Sequence, residues 1–432
     1  MIRGYFLIIV ESRWEKMKVD LAIIGAGPAG LAAAIQANKS GIKAENILLI
    51  ERNNSLGGIL QQCIHDGFGV ILFKKALTGP EYAQIFIDEL EQRKIRYMLN
   101  STVISVEKVG EGFILKVCSK ENGFLEILAR AIIFATGCRE RTRSQIFTPG
   151  SRPAGIYTAG CVQNLMNLKG LLPGRSAVIL GSGDVGLIMA RRLTLEGIKV
   201  KAVVEIMPYC SGLPRNLVQC LQDYGIPLYL RHTVIDIRGK KRVKEVVIAK
   251  VDDKFNPVEG SEKIIPCDTL ILSVGLIPEN EIARNLGVAI DQKTQGPVVD
   301  ENLQTSIKGV FACGNSLHVH DLVDYVTLEG KKAGKAAAEY LLFDRLGKCN
   351  IKIIAGKGIR YVLPHFISGK KDVSLFLRVT KPGRNKRLIA RFQNRIIKEE
   401  LKRKVNPAEM IKFELDKELL HDVREIEISL LD

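Results

Sequence analysis

The residues best suited to chemistry in this chain are glycines. Gly25-Ala26-Gly27-Pro28-Ala29-Gly30 and Gly181-Ser182-Gly183-Asp184-Val185-Gly186 repeat one pattern. Each follows an apolar run that reads as a strand and opens a run that reads as a helix. In such a turn the first glycine permits a sharp bend. The second lets the main chain approach a pyrophosphate, and the third lets helix and strand pack closely. The pyrophosphate rests on the helix N-terminus, where unpaired N–H groups and the dipole favour negative charge. One copy of the pattern is weak grounds for nucleotide binding. Two copies, each between a strand and a helix, imply two dinucleotides in one chain, a flavin and a nicotinamide.

A carboxylate accompanies each turn. Glu51 ends the strand after the first, and Glu205 stands in the equivalent place after the second. Either can accept hydrogen bonds from adenosine ribose hydroxyls; the plain alternative is a strand-end glutamate facing water. A carboxylate repels the 2′-phosphate of NADP, so Glu205 predicts NAD(H), unless it points away and the 206–215 loop with Arg215 sets the choice. Arg52 and the pair Gly57-Gly58 follow Glu51, where main chain is expected to pass close to the cofactor. Gly314-Asn315 precedes a helical run over 322–342 whose N-terminus would favour negative charge on a reduced ring system. Asn315 is placed to hydrogen-bond the ribityl chain. In the same stretch stand His318, His320 and Asp321. No third ligand has suitable spacing, so no metal is expected, and the histidines read as structural or flavin-contacting. Cys63 and His65 could form an activated nucleophile or a charge-transfer thiolate. A packed thiol beside a polar histidine is the plainer reading, because no partner thiol is suitably spaced.

The elements that must position these residues alternate between strand and helix. Residues 18–24, 47–50 and 131–134 read as strands of the first unit, with a helix over 28–39 that Gly41 ends. The stretch 101–128 reads as a separate small β-meander, and the 131–134 strand delivers Ala135-Thr136-Gly137. A second unit opens near Arg175 with a strand (177–180), a helix (185–196) and a strand (200–204), and closes with a strand that ends at Gly275. Residues 310–315 return to the first unit. This predicts an α/β fold with two Rossmann-like dinucleotide-binding domains built on parallel sheets covered on both faces. The flavin domain takes 17–170 and 290–346, and the nicotinamide domain, 171–289, is inserted in it. Strand patterns after 351, without a glycine-rich turn, predict a small, mostly β C-terminal domain over 350–432. A partner or dimer surface is the expectation for it.

Composition narrows the class. A chain of 432 residues with 46% hydrophobic and 25% charged content fits an ordinary globular protein of about three domains. The nine cysteines have neither CxxC nor CxxxxC spacing, which argues against an iron–sulfur cluster, a structural zinc and a redox disulfide. The net charge of +16 is concentrated late, over 381–387 and 398–404. It reads as a solvated face or a surface for an acidic protein partner, and no motif supports nucleic acid. The apolar stretch 5–10 is too short to cross a bilayer and lacks a cleavage site. Residues 1–16 read as an extension with Met17 as the natural start, or as an extra edge strand. A cytoplasmic location is expected.

In order, the strand–turn–Glu51 start, Ala135-Thr136-Gly137, the inserted second turn, Gly275-Leu276-Ile277-Pro278 and the Gly314 motif resemble a known superfamily. It is that of the two-dinucleotide-binding flavoproteins, the pyridine nucleotide-disulfide oxidoreductases, and the resemblance covers roughly 18–346. Residues 57–65, 135–141 and 314–321 resemble one subgroup, the NAD(P)/FAD-dependent oxidoreductases found beside glycerol-3-phosphate dehydrogenase-like flavoproteins. That subgroup is similar to the α-subunits of opine, sarcosine and proline/hydroxyproline dehydrogenases. Two departures matter. The cysteine pair of the disulfide reductases is missing, which argues against disulfide substrates. Gly314-Asn315 stands where the superfamily has Gly-Asp, which changes how the ribityl chain is held.

The resemblance implies FAD held by Gly25, Gly27, Pro28, Ala29, Gly30, Glu51, Arg52, Gly57, Gly58, Ala135, Thr136, Gly137, Gly314 and Asn315. It implies NAD(H) held by Gly181, Ser182, Gly183, Asp184, Val185, Gly186, Glu205 and Gly275. The expected reaction is hydride transfer between nicotinamide and flavin. The expected partner is a second flavoprotein dehydrogenase subunit of glycerol-3-phosphate or amino-acid/opine type. Two alternatives stay open: a stand-alone NADH oxidase or peroxidase using Cys63, and a non-catalytic FAD-binding interaction subunit. Each of these readings is compatible with a homo-oligomer.

Overall fold

The structure, a computed structural model, describes residues 15–344 and 346–432. Most of the expected N-terminal extension therefore lies outside the described residues. Its last two residues belong to strand β1 (Glu15–Ile24), so the first unit starts before residue 17. Helix α1 (Pro28–Lys39) leads to β2 (Ile47–Ile50), parallel to β1. Helix α2 (Gly79–Gln92) starts at a capping box in which Thr78 and Glu81 satisfy each other's main-chain N–H groups. Next come β3 (Arg96–Met98), β4 (Ser101–Val109), β5 (Gly112–Ser119) and β6 (Gly123–Phe134).

β6 corrects the sequence reading. The last meander strand and the 131–134 strand are one continuous strand of 12 residues. Its first part alternates buried and more exposed side chains, and its last four residues are all buried. The periodicity changes because the strand passes from a sheet with one wet face to one covered on both faces, not because it stops. The first sheet runs β3-β2-β1-β6-β5-β4.

β7 (Cys138–Glu140) leads into β8 (Ile156–Thr158) and α3 (Ala159–Lys169). The second sheet adds β9 (Ser176–Leu180), α4 (Asp184–Leu195), β10 (Lys199–Glu205), α5 (Pro214–Cys220) and β11 (Leu228–Leu230). A three-stranded antiparallel meander follows, β12 (His232–Gly239), β13 (Val243–Lys250) and β14 (Lys263–Pro266), and then β15 (Thr269–Leu272). The parallel order β11-β10-β9-β15-β8 puts β8 on this sheet, so the second unit begins before residue 171. It also ends earlier than 289. β16 (Leu276–Pro278) pairs back to β7, and Ala283 of α6 (Glu281–Asn285) and Val288 are buried in the first unit's core. β8 is too short to show a periodicity of its own.

β17 (Val310–Ala312) pairs with Ile132–Phe134 of β6, beyond the stretch of that strand bound by β5. Helix α7 (Val323–Phe343) lies against α1 at very close range. A Cβ at Gly330 would come 2.3 Å from Ala29 O, and one at Gly334 would come 2.1 Å from Ala33 O. The remaining strands are β18 (Ile351–Ala355), β19 (Ile359–Leu363), β20 (Phe366–Ile367), β21 (Val373–Val379), β22 (Gly383–Phe392), β23 (Arg395–Val405), β24 (Ile411–Leu415) and β25 (Glu425–Leu431). They form a five-stranded and a three-stranded sheet around a separate apolar core that includes Leu375, Leu388, Phe413 and Ile428. Among the described residues no helix is long and apolar enough to cross a membrane.

Candidate functional site: two facing dinucleotide cradles

An added Cβ shows what each glycine of the turns does. Gly25 sits at φ +103°, and its Cβ would lie 2.4 Å from Ala135 O; at Gly30 it would lie 1.9 Å from Gly25 O. Gly27 between them meets nothing within 4 Å. The second turn repeats the arrangement. Gly181, at φ +96°, would meet Ser273 O at 2.1 Å and Gly186 would meet Ser273 Cβ at 2.6 Å, whereas Gly183 has only ordinary contacts. Bend, open face and helix–strand packing thus fall on the first, second and third glycine, as a pyrophosphate cradle requires. Neither α1 nor α4 has a side-chain N-cap, which leaves first-turn N–H groups for an anion.

The two strand-end carboxylates are buried and grip their own turns. Glu51 Oε2 accepts from Ala26 N (2.9 Å) and Oε1 from Asn53 N (2.9 Å). Glu205 Oε2 accepts from Ser182 N (3.0 Å), Ser182 Oγ (2.5 Å) and Ser211 Oγ (2.9 Å), and Oε1 from Met207 N (2.8 Å). In each, Oε1 keeps one acceptor direction for a ligand hydroxyl. Asp184 faces its own loop, accepting from Leu213 N (2.8 Å) and Asn216 Nδ2 (2.6 Å). Burial raises its carboxyl, against those two bonds. The Arg215 guanidinium lies against Gly67 of the first unit.

Both turns open into one cleft of about 2160 Å³. That exceeds the roughly 300–1,000 Å³ of a pocket for one small ligand. Gly25, Gly27, Pro28, Ala29, Glu51, Arg52, Gly58, Ala135, Thr136, Gly137 and Asn315 line it from the first unit. Gly181, Gly183, Asp184, Val185, Glu205 and Gly275 line it from the second. Gly30, Gly57, Gly314, Ser182 and Gly186 stand behind the wall as supports. Gly57 N donates to Ala26 O (2.9 Å), and a Cβ on Gly314 would come 2.8 Å from Ala29 Cβ.

Cys63 and His65 also line the cleft but are not joined by a hydrogen bond. The Cys63 thiol donates to Ile59 O (3.3 Å) and approaches Gln163 Oε1 (3.8 Å). Burial pushes it up to about 12, against a smaller pull from Gln163. That is the environment of a thiol, not of the thiolate a nucleophile needs. The plainer sequence reading of this pair is the one the geometry favours.

His318 and His320 converge on a residue that sequence spacing misses, Glu329 of α7. Its Oε1 lies 3.1 Å from His318 Nε2 and 3.6 Å from His320 Nε2, and its Oε2 accepts from Gly314 N at 2.6 Å. Burial, then the neighbouring His320, lower His318 to about 4. Burial works to raise Glu329, but the two imidazoles hold it below the usual carboxylate range. The Asn315 amide is tied to this cluster. Its Oδ1 accepts from His320 N (3.0 Å) and one Nδ2 hydrogen points at Cys138 Sγ (3.6 Å), which leaves the second Nδ2–H for a ligand.

The C-terminal domain supplies more of the wall than the sequence indicates. Tyr361 and Arg378 line the cleft, and Arg378 locks the His318–Asp321 loop in place. Its guanidinium pairs with Asp321 and donates to Val319 O (3.1 Å), Tyr361 Oη (3.1 Å) and Ala408 O (2.6 Å). No motif marks these residues, because their role depends on how two separately cored units dock.

A family model described as pyridine nucleotide-disulphide oxidoreductase matches residues 19–330. One of the opine oxidase subunits of Agrobacterium tumefaciens (strain Ach5) is 24% identical over 68% of this chain, which spans 61% of that protein. Thioredoxin reductase of Listeria monocytogenes is 28% identical over 76% of this chain and 95% of that protein. The crystal structure of T. acidophilum thioredoxin reductase superposes with a TM-score of 0.62 at 24% identity, over 74% of this chain and 98% of that one. That likeness concerns the fold alone. The paired cradles and the match across both of them place the chain in the pyridine nucleotide-disulphide oxidoreductase family, as an FAD-dependent pyridine nucleotide oxidoreductase.

Proposed function

We propose that the chain passes hydride between NAD(H) in the Gly181 cradle and FAD in the Gly25 cradle, serving for electron transfer within a multi-subunit dehydrogenase of glycerol-3-phosphate or amino-acid/opine type. The observation that carries this reading is the single cleft shared by both turns. When bound, the two coenzymes supply the redox chemistry, and the protein's work is orientation and electrostatics. Gly25, Gly27 and Gly30 shape one pyrophosphate seat, and Gly181, Gly183 and Gly186 the other. Glu51 Oε1 and Glu205 Oε1 offer acceptor positions to ribose hydroxyls. The Glu205 charge disfavours a 2′-phosphate, so NAD(H) is preferred over NADP(H).

A protein electron partner is supported by two observations. The chain has no CxxC or CxxxxC pair to pass electrons to a disulfide, and one relative belongs to a multi-subunit oxidase. The donor role of Cys63 argues against a stand-alone peroxidase.

Anaerobic stopped-flow absorbance tests the reading. FAD-loaded protein should lose its flavin band on mixing with NADH, and much more slowly with NADPH. A flavin that neither nucleotide bleaches would return the chain to a purely FAD-binding role. Affinity purification from the native cell should recover a second flavoprotein.

A further inference from the structure

We propose that His318, His320 and Glu329 form a binding site for one divalent transition-metal cation of the zinc class, with its fourth position open to the cleft. The ligand atoms of these three residues lie within 4.8 Å of one another. The Nε2–Oε1 separations of 3.1 and 3.6 Å bracket the roughly 3.4 Å edge of a tetrahedral site with metal–ligand bonds near 2.1 Å. Hydrogen bonding explains why a cation belongs there. Asn315 Oδ1 already accepts from the His320 main-chain N–H and lies 3.3 Å from His320 Nδ1, so Nδ1 carries the ring proton. In the neutral ring, the form that binds a metal, His320 Nε2 then presents a lone pair to a carboxylate oxygen. Two buried acceptors facing each other repel unless positive charge lies between them.

The surroundings match those of a metal ligand set. Each imidazole has an oxygen at its remote nitrogen, Tyr361 Oη for His318 (3.4 Å) and Asn315 Oδ1 for His320. Glu329 is fixed through its other oxygen by Gly314 N. Two histidines and one carboxylate leave an open position, the pattern of catalytic rather than structural zinc. His318 and His320 line the cleft, so that position would take water or an oxygen-bearing substrate group.

Zinc titration calorimetry on chelator-treated, FAD-loaded protein tests this. The expected result is one equivalent of Zn²⁺ bound per chain, lost in His320→Gln and Glu329→Gln variants that keep the flavin spectrum. Should a variant fail to fold, the wild-type thermal midpoint decides: it rises with added Zn²⁺ if the site exists. Overturning results are no zinc uptake, uptake equal in wild type and variants, or a midpoint that zinc leaves unmoved.

Discussion

At the scale of single residues, the two strand-end carboxylates and Cys63 make opposite predictions. Glu205→Gln removes a charge at the cost of one of the two main-chain hydrogen bonds the carboxylate accepts, since an amide nitrogen only donates. NADPH should then gain on NADH in flavin reduction by about tenfold, the size expected of one partly screened charge repulsion, read as the ratio of the two kcat/KM values. Cys63 should behave as an inert thiol. With its pKa raised from an ordinary 9.0 to about 12, its thiolate fraction at pH 8 is lower by about a thousandfold. Iodoacetamide should therefore label it far more slowly than a free thiol, as peptide mass spectrometry would show, and Cys63→Ser should leave NADH bleaching intact. The glycines and carboxylates were legible in the sequence because their work depends on local spacing. Glu329 was not, because it meets His318 and His320 only once the chain after them has turned into α7.

At the scale of elements, helices α1 and α7 bring the first cradle and the Gly314 loop together, and glycines set their separation. Gly334→Ala would drive a methyl group to within 2.1 Å of Ala33 O. The expected cost is about 1–3 kcal/mol, as for other overpacked interiors, measured by urea unfolding. Gly27→Ala is the contrasting case. It meets nothing within 4 Å, so stability of the apoprotein should hold while FAD affinity falls. The strand–turn–helix units could be read from periodicity, but the continuity of β6 and the membership of β8 could not. β6 shifts its burial pattern midway, and β8 owes its place to its pairing with β15.

At the scale of the whole molecule, the C-terminal domain is a wall of the cleft. Arg378→Met leaves the largely buried Asp321 carboxylate with only Met410 N as partner, a loss of up to about 3–5 kcal/mol, the range for a broken buried pair. Limited proteolysis should then release the C-terminal strands earlier than in wild type. The alternating strands told of that domain's class, but its docking through Arg378 depends on contacts made 57 residues away in sequence. The return of residues 310–343 to the first unit also dictates an order of assembly during synthesis. β6 waits for β17, and α1 waits for α7, so the amino-terminal half stays unfinished on the ribosome until the middle of the chain has emerged and closed upon itself. The segment made first is then the last of the two nucleotide units to mature, and a nascent chain arrested near residue 300 should display a protease-resistant centre with a digestible beginning.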